Sequence, residues 1–436
     1  MERDTLKLLA AWKAKHNRKP LVLRGARQVG KTWLLNELAR TEFVDALRIE
    51  FDNNQRVQMA WEPDFDPYRI VHELEILSGH KIVPGKTLLI FDEIQEFPKA
   101  LTSLKYFCER APEYHVACAG SYLGLALHEG TSFPVGKVDF IDVYPLTFTE
   151  YLRAIGSLNL LDYLKLANFE RLHLLGVDYL SALKDYFYLG GMPEVVQTYI
   201  ASLDFQQARE VQLALVDAYD HDFSKHAPTS QLTRVRALWN SIPEQLGKEN
   251  RRFILNQAAP GARTRDYQAA LQWLLGTNVA HRVDCVSEVR LPLNPYRDGK
   301  AFKLYASDVG LLGCQAGIDR ETLSDGSALY TEFKGAMAEQ FVLQQLLAQT
   351  PYHPVYWSNE PGKAEVDFLI QDKARVIPIE VKSGANLKAK ALQTYREKYH
   401  PVRAVRFSLA QPYCGDQIID IPLYALSLLP QLLSEI

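Results

Sequence analysis

The chain has 436 residues, 47% of them hydrophobic and 23% charged, with a formal net charge of −3 and a pI near 6.4. This is the composition of an ordinary globular protein, and the length exceeds what one hydrophobic core usually serves, so we expect two or three domains. The small negative charge excludes a globally basic nucleic-acid-binding protein and restricts any nucleic-acid surface to a local patch.

The cysteines and the apolar runs indicate in which cellular compartment the protein is expected. The five cysteines are widely spaced and form no C-x-x-C pair, which excludes a zinc site or a disulfide framework of the usual spacing. The first residues lack the pattern of a signal peptide, and no apolar run approaches the roughly 20 residues that span a bilayer. We therefore predict a cytoplasmic protein without a membrane partner.

The N-terminal third alternates apolar strands with helices. Residues 21–23 form a short apolar run that breaks at Gly25, and residues 31–40 have helical periodicity. Further apolar strands are expected at 88–91, 115–119 and 138–143. Strands that alternate with helices and end in polar residues predict a parallel α/β sheet.

Residues 25–32 read Gly-Ala-Arg-Gln-Val-Gly-Lys-Thr and match the P-loop pattern G-x-x-x-x-G-K-[ST]. The glycines let successive backbone N–H groups point at phosphate oxygens, and the start of the following helix adds its positive dipole end. Lys31 would reach the β- and γ-phosphates of ATP, and the Thr32 hydroxyl would bind Mg²⁺. The predicted nucleotide-binding residues are Gly25, Ala26, Arg27, Gln28, Val29, Gly30, Lys31, Thr32, Trp33, Asp92 and Ser121.

The strand at 88–91 ends at Asp92 and Glu93, as a Walker-B strand does. Asp92 would share the Mg²⁺ with Thr32, and Glu93 would polarise the attacking water. Ser121 ends the next strand and is either a sensor of the γ-phosphate or a turn serine.

Two cations are alternatives for completing the ATP site from a neighbouring subunit. They are Lys137 and Arg153, and the sequence does not choose between them. Assembly into a homo-oligomer therefore stays open.

The middle of the chain is rich in helix, and residues 250–284 suggest a winged helix. A short helix is expected at 253–258, a second helix at 263–275 and a β-wing at 279–286. Arg263 and Arg265 would then begin the recognition helix, where side chains reach phosphates or base edges of DNA.

The last third predicts a second α/β module that carries a carboxylate cluster. Asp367 lies on one strand, and Glu380 and Lys382 lie on the next, two residues apart and therefore on one face. Glu339, on the preceding helix, would complete a metal-binding set with Asp367 and Glu380. Lys382 would orient or deprotonate a water or stabilise the charged transition state, and Glu380 would serve catalysis as well as the metal.

Together these residues resemble the prokaryotic AAA+-type ATPases that carry a C-terminal DUF4143 domain. The resemblance rests on the P-loop, on Ile-Phe-Asp-Glu-Ile-Gln (90–95), Gly-Gly-Met-Pro-Glu (190–194) and Tyr-Ala-Ser-Asp-Val-Gly-Leu (305–311), and on Ile-Glu-Val-Lys-Ser-Gly (379–384). Many relatives have Gly-Arg where this chain has Gly136-Lys137, and lysine lacks the planar fork of an arginine finger.

The resemblance implies an α/β fold with four parts. They are a P-loop AAA+-like parallel-sheet core at 1–145, a helical extension at 146–205, a winged-helix-like region at 206–325, and a restriction-endonuclease-like domain of the PD-(D/E)XK type at 326–436.

Three functions compete at this point. The first is an ATP-driven enzyme that acts on nucleic acid, with a metal-dependent nuclease as its C-terminal domain. The second is a regulatory or scaffolding ATPase whose nuclease-like domain is inactive and used for binding. The third is a nucleotide switch without a nucleic-acid partner. The predicted cofactors are ATP and Mg²⁺, and DNA is the predicted macromolecular partner in the first.

Overall fold

The computed structural model describes residues 1–434 except 53, 121–133, 167–168, 249–250, 259, 262, 325–330 and 360–363. The chain forms two compact units. The first holds residues 1–143 with the short segment 276–279, and the second holds 144–275 and 280–436.

The first unit is built on a five-stranded parallel sheet. Its strands are β1 (Leu21–Arg24), β2 (Asp45–Glu50), β3 (Thr87–Asp92), β4 (His115–Ala119) and β5 (Asp139–Asp142). Their order across the sheet is β2-β3-β4-β1-β5, and every neighbouring pair is parallel. All five carboxyl ends therefore lie along one edge, which is where ligands bind in open α/β sheets.

Helices and an aromatic core cover this sheet. The helices of the unit are Thr5–Ala14, Lys31–Glu42, Gln55–Gln58, Pro67–Ser78 and Pro98–Arg110. Phe51, Trp61 and Phe91 pack edge to face with ring centroids 5.4–5.8 Å apart, and all three side chains are buried. The predicted parallel sheet is confirmed, and β2 is a strand that the sequence analysis did not anticipate.

The second unit begins with helices and continues into a large mixed sheet. Its helices are Phe148–Ala154, Leu158–Leu166, Gly176–Leu189, Pro193–Ser202, Phe205–His226, Leu232–Leu246, Leu255–Ala258, Thr264–Gly276, Val309–Gln315, Arg320–Ser324, Thr331–Gln349, Lys390–Tyr399 and Leu429–Ser434. Its strands are β6 (Ala280–Val286), β7 (Arg297–Ala306), β8 (Val355–Asn359), β9 (Ala364–Asp372), β10 (Arg375–Val381), β11 (Ala404–Ser408), β12 (Tyr413–Cys414) and β13 (Ile418–Pro422).

These strands form one eight-stranded sheet in the order β12-β13-β11-β10-β9-β8-β6-β7. The expected β-wing is β6, and it pairs with β7 on one side and with β8 on the other. Val283, Cys285 and Val286 are buried in that position, since their apolar side chains suit an inner strand better than an exposed wing. The structure therefore does not confirm a winged helix, although the helices expected at 253–258 and 263–275 are present as Leu255–Ala258 and Thr264–Gly276.

A buried aspartate ties two of the family motifs together. The Asp308 carboxylate accepts hydrogen bonds from Gly310 N at 2.9 Å and Leu311 N at 3.0 Å, which caps the helix Val309–Gln315. It also accepts from Gly191 N at 2.6 Å and from the Gln344 side chain at 3.0 Å. The Gly-Gly and Ser-Asp-Val-Gly motifs thus have a structural role within the second unit.

A search of the described residues for a helix both long enough and apolar enough to cross a membrane finds none.

We predict that Asp308→Ala destabilises the protein far more than loss of an ordinary helix cap. Four donors would lose their buried acceptor, and one such unsatisfied group costs about 1–3 kcal/mol. Asp204→Ala is the matched control, because Asp204 caps the helix Phe205–His226 at an exposed position, where the loss should be about 1 kcal/mol. Chemical denaturation measures both, and equal losses would contradict this role of Asp308.

Candidate functional site

The P-loop of the first unit joins the end of β1 to the helix Lys31–Glu42. Gly25 has φ +151°, and a Cβ built there would lie 2.2 Å from the Val143 carbonyl oxygen. Gly30, the residue before the helix, has φ +94°. Only glycine fits both positions easily, so the backbone can curl into a phosphate-binding turn.

Lys31 is buried inside this loop. Its ammonium donates to the carbonyl oxygens of Gly25 at 3.0 Å and Ala26 at 2.8 Å. Burial lowers the pKa of Lys31 to about 8, against the opposing pull of the Glu93 and Asp92 carboxylates. The lysine side chain therefore lies along the loop whose N–H groups are expected to bind phosphate.

Thr32 and Asp92 meet, as the predicted magnesium site requires. The Thr32 hydroxyl lies 3.2 Å from Asp92 Oδ1 and 3.1 Å from Oδ2, and it donates to this carboxylate. Thr32 comes from the first turn of the helix and Asp92 from the last position of β3. Hydroxyl and carboxylate oxygens side by side are ligands that Mg²⁺ accepts.

Arg48 is a member of this site that the sequence analysis missed. Its Nη2 lies 2.7 Å from Asp92 Oδ2 and 2.7 Å from Glu50 Oε1. Arg48 lies on β2, where Glu50 pairs with Asp92. Asp92 is buried, and a buried carboxylate needs a cation or hydrogen-bond donors, which Arg48 and Thr32 supply.

Glu93 follows β3 in the left-handed region, with φ +47°. Gln95 Nε2 donates to Glu93 Oε2 at 2.7 Å and so fixes the direction of this carboxylate. Gln95 belongs to the motif at 90–95, where the sequence alone indicates no role for it. Orienting the predicted general base is the role that its position provides.

The other predicted residues of this site lie as follows. Val29 is buried and its carbonyl oxygen accepts from Arg3 at 3.0 Å, while Arg27 and Gln28 are exposed. Trp33, in the first helical turn, is 40% exposed. Ser121 lies outside the described residues.

Neither candidate for a cation supplied between subunits is singled out by the structure. Lys137 forms an ion pair with Glu109, at 2.8 Å. Arg153 lies on the helix Phe148–Ala154 of the second unit.

The second unit brings Asp367, Glu380 and Lys382 together. Strands β9 and β10 are antiparallel with Phe368 opposite Ile379, so Asp367 and Glu380 are opposite each other one step further. Opposed residues of neighbouring strands share a face. Lys382 Nζ lies 2.6 Å from Glu380 Oε1, and Val381 N donates to Asp367 Oδ2 at 2.7 Å.

Glu380 is a buried carboxylate with Lys382 on one of its two oxygens. It is 4% exposed, and within the described part of the chain its Oε2 has no hydrogen-bond partner. Burial, followed by the charge of Asp367, raises the pKa of Glu380 to about 7, while Lys382 opposes the shift.

Glu339 lies beside this group and shares a cation with it, because the Arg251 Nη1 that pairs with Glu339 also lies 4.0 Å from Asp367 Oδ1. The Glu339 carboxylate accepts from the Tyr305 hydroxyl at 3.0 Å, lies 3.4 Å from Lys303 Nζ and forms an ion pair with Arg251. Among the described residues, no group of three or more histidine, cysteine, aspartate or glutamate side chains is arranged to hold a metal ion. Arg251 contacts both Glu339 and Asp367, and Lys303 and Tyr305 contact the other oxygen of Glu339, so the role of Glu339 as a third metal ligand stays a prediction.

Lys303 is the cation between Glu339 and Glu365, and the sequence offers no signal for this position. It is fully buried, and its Nζ lies 2.6 Å from Glu365 Oε1. Burial lowers the pKa of a lysine, but the Glu365 carboxylate reverses this and raises the pKa of Lys303. Lys303 lies on β7, a strand that the apolar pattern did not predict.

Models of three protein families match the chain. An AAA domain matches residues 17–152, a domain of unknown function, DUF8612, matches 180–322, and a domain of unknown function, DUF4143, matches 334–426. A search of curated proteins finds no match.

Solved structures resemble the chain at low identity. A Walker-type ATPase of Pyrococcus abyssi, PABY2304, is 16% identical with a TM-score of 0.44, over 72% of this chain and 95% of that one. The S. cerevisiae Hsp104–ADP complex is 12% identical with a TM-score of 0.29, over 78% of this chain and 43% of that one. PCH-2 of C. elegans is 12% identical with a TM-score of 0.25, over 63% of this chain and 66% of that one.

All three TM-scores are below 0.5, so the family models and the geometry of the P-loop carry the assignment. On that basis the chain carries an AAA-type ATPase domain in its N-terminal part and a DUF4143 domain in its C-terminal part.

Proposed function

We propose that the protein hydrolyses ATP with Mg²⁺ at the P-loop and uses this energy to act on nucleic acid through its second unit. The observation that carries the ATP part is the contact between the Thr32 hydroxyl and the Asp92 carboxylate, at 3.1–3.2 Å. Two oxygen ligands from separate elements meet beside a phosphate-binding loop, which is how P-loop enzymes hold Mg²⁺.

Each side chain of the ATP site has a distinct role in this proposal. Lys31 contacts the β- and γ-phosphates, and Thr32 and Asp92 hold the cation, which offsets the charge of the phosphates. Glu93 accepts the proton of the attacking water, in the orientation that Gln95 gives it. Arg48 neutralises Asp92 and keeps its oxygens directed at Thr32.

We predict that Lys31→Ala and Glu93→Gln both abolish ATP turnover but differ in binding. Lys31→Ala removes a phosphate contact and should weaken nucleotide binding. Glu93→Gln should bind nucleotide as the wild type does, because its amide cannot accept a proton but leaves the phosphate contacts intact. Steady-state phosphate release and fluorescent-nucleotide binding measure these two effects.

Glu96→Gln is the matched control for Glu93→Gln, since Glu96 is an exposed carboxylate three residues further on. It should hydrolyse ATP at the wild-type rate. Wild-type turnover by Glu93→Gln would show that another group is the base.

The action on nucleic acid has a candidate centre in Asp367, Glu380 and Lys382. Its support is Glu380 Oε2, which has no hydrogen-bond partner among the residues that the structure describes and lies on the same face as Asp367. A divalent cation between these two carboxylates would satisfy that oxygen and stabilise negative charge at a phosphodiester, and Lys382 would assist. Arg251, 4.0 Å from Asp367, and Lys382, 2.6 Å from Glu380, count against cleavage, because they already offset part of the charge of the two carboxylates.

The alternative is therefore a regulatory or scaffolding ATPase whose C-terminal domain binds without cleaving. For nucleic-acid contact outside the centre, Arg263 and Arg265 are candidates, since both are exposed at the start of the helix Thr264–Gly276. The two functions differ in one testable property: cleavage of nucleic acid requires a metal ion at Asp367 and Glu380, and binding without cleavage does not.

We predict that Mn²⁺ stabilises the wild type against thermal unfolding and that Asp367→Asn removes this effect. At a hundred times the Kd, ligand linkage supplies about 2.7 kcal/mol. The affinity should rise between pH 6 and pH 8, because the cation needs an ionised Glu380 and burial raises the pKa of that group to about 7.

Asp416→Asn, which changes an exposed aspartate of the same unit, should keep the full Mn²⁺ effect. If Mn²⁺ stabilises the wild type and Asp367→Asn equally, or neither of them, the cleavage function fails and the binding alternative stands.

A further inference from the structure

A groove in the second unit is lined by residues other than the carboxylates described above, and the proposed function gives it no role. It has a volume of about 790 Å³ and runs between the helix Lys390–Tyr399 and the strands β11 and β13. This volume is within the range of ligand-binding pockets. Its lining is unusual for a chain of net charge −3, because it includes Lys388, Arg396, His400 and Arg406 against a single carboxylate, Glu397.

The cations of the groove differ in how they are neutralised. Arg406 binds Asp420 with both ends of its guanidinium, at 2.7 and 2.9 Å. Arg396 donates to the neutral side chain of Gln417, and within the described residues neither Arg396 nor Lys388 has an ion-pair partner. Two positive charges are thus left for a ligand.

The helix itself adds further donors. Ala389 is its N-cap residue and lines the groove, and alanine offers no side-chain acceptor to the N–H groups of the first turn. Uncapped N–H groups at a helix start bind anions together with the dipole. Lys388 precedes that turn, so two kinds of anion-binding group come from one short segment.

The remaining lining suits a base more than a bare anion. The half-buried Ile418 supplies apolar surface, and the exposed His400 supplies an aromatic ring. Nucleic-acid strands are bound by this combination of cations along the backbone and flat or apolar contacts to the bases.

The groove continues toward the carboxylate centre along one row of the sheet. Glu380 of β10 pairs with Arg406 of β11, and Arg406 pairs with Asp420 of β13. Residues paired in this way have side chains on the same face. Arg406 lines the groove and is therefore the immediate neighbour of Glu380 across the sheet.

We propose that this groove binds the phosphodiester backbone of a single nucleic-acid strand and directs it toward Glu380. The proposal rests on the proposed function, since it gives the second unit a nucleic-acid ligand. Lys388, Arg396 and the start of the helix contact phosphates, and His400 and Ile418 contact a base. Arg406 stays paired with Asp420 and joins the groove to the centre.

The test is binding of a fluorescein-labelled 20-nucleotide oligo(dT) to the full chain, measured by anisotropy across a salt series in EDTA and without ATP. Lys388→Ala/Arg396→Ala should weaken binding at least tenfold. The slope of log binding constant against log salt concentration should be shallower by about 1.4, because each lost phosphate contact on a single strand contributes about 0.7 to that slope.

The matched control is Lys300→Ala/Lys373→Ala, which removes the same charge from two exposed positions outside the groove. It should bind like the wild type. Lys388→Gln/Arg396→Gln repeats the test with longer side chains, and equal melting temperatures establish that the variants are folded.

The outcomes separate the groove from the function on which it rests. If the wild type binds the strand and the groove variants bind it equally well, the groove assignment is wrong while nucleic-acid binding stands. If the control loses as much affinity as the groove variants, the effect is general charge and the groove is again wrong. If the wild type binds no strand, the nucleic-acid function fails and the groove proposal fails with it. Tighter binding of duplex by the same groove would overturn the single-strand assignment.

Discussion

The parallel register of the five-stranded sheet is the constraint on which the ATP site depends. Because all five strands run the same way, the end of β1 and the end of β3 lie at one edge, although β4 separates them. The P-loop continues from β1 and Asp92 ends β3, so the helix that begins at Lys31 brings Thr32 within hydrogen-bond distance of Asp92. A strand in the opposite direction would put one of these groups at the far edge of the sheet.

Several carboxylates of the structure are buried, and they differ in how their charge is neutralised. A charge removed from water has to be paired, or its pKa shifts until it is neutral. Asp92 is paired with Arg48, and Glu339 is held by Lys303 and Tyr305. Glu380 has Lys382 on one oxygen, but burial and the charge of Asp367 outweigh this contact and raise the pKa of Glu380 to about 7. This difference directs attention to Glu380 as the group of the second unit with binding capacity to spare.

Much of the first unit could be predicted from sequence because its signals are local. A buried parallel strand is an uninterrupted apolar run, and the P-loop glycines are fixed by backbone geometry at Gly25 and Gly30. The edge strand β2 escaped detection because only Ile49 among its residues is buried, so its pattern does not differ from a loop. Arg48 was lost with it.

The second unit shows where such signals stop. Asp367 and Glu380 were expected in one set if their strands paired, and the structure pairs β9 with β10 and puts the two carboxylates within electrostatic reach of each other. The cations around Glu339 were not predicted, because Lys303 and Arg251 come from segments distant in sequence and only tertiary packing brings them to Glu339. The predicted β-wing was not confirmed for a related reason. An apolar strand indicates burial but not the sheet that it joins, and β6 lies within the eight-stranded sheet.

The measurement that tests the account most directly is the Mg²⁺ dependence of ATP-analogue binding to the wild type and to Asp92→Asn. The wild type should bind a non-hydrolysable analogue more tightly with Mg²⁺ than without it, since Thr32 and Asp92 supply ligands for the cation. Asp92→Asn should bind the analogue without Mg²⁺ and lose most of the enhancement that Mg²⁺ gives. The same enhancement in both proteins would show that Asp92 does not hold the cation and would contradict the central claim.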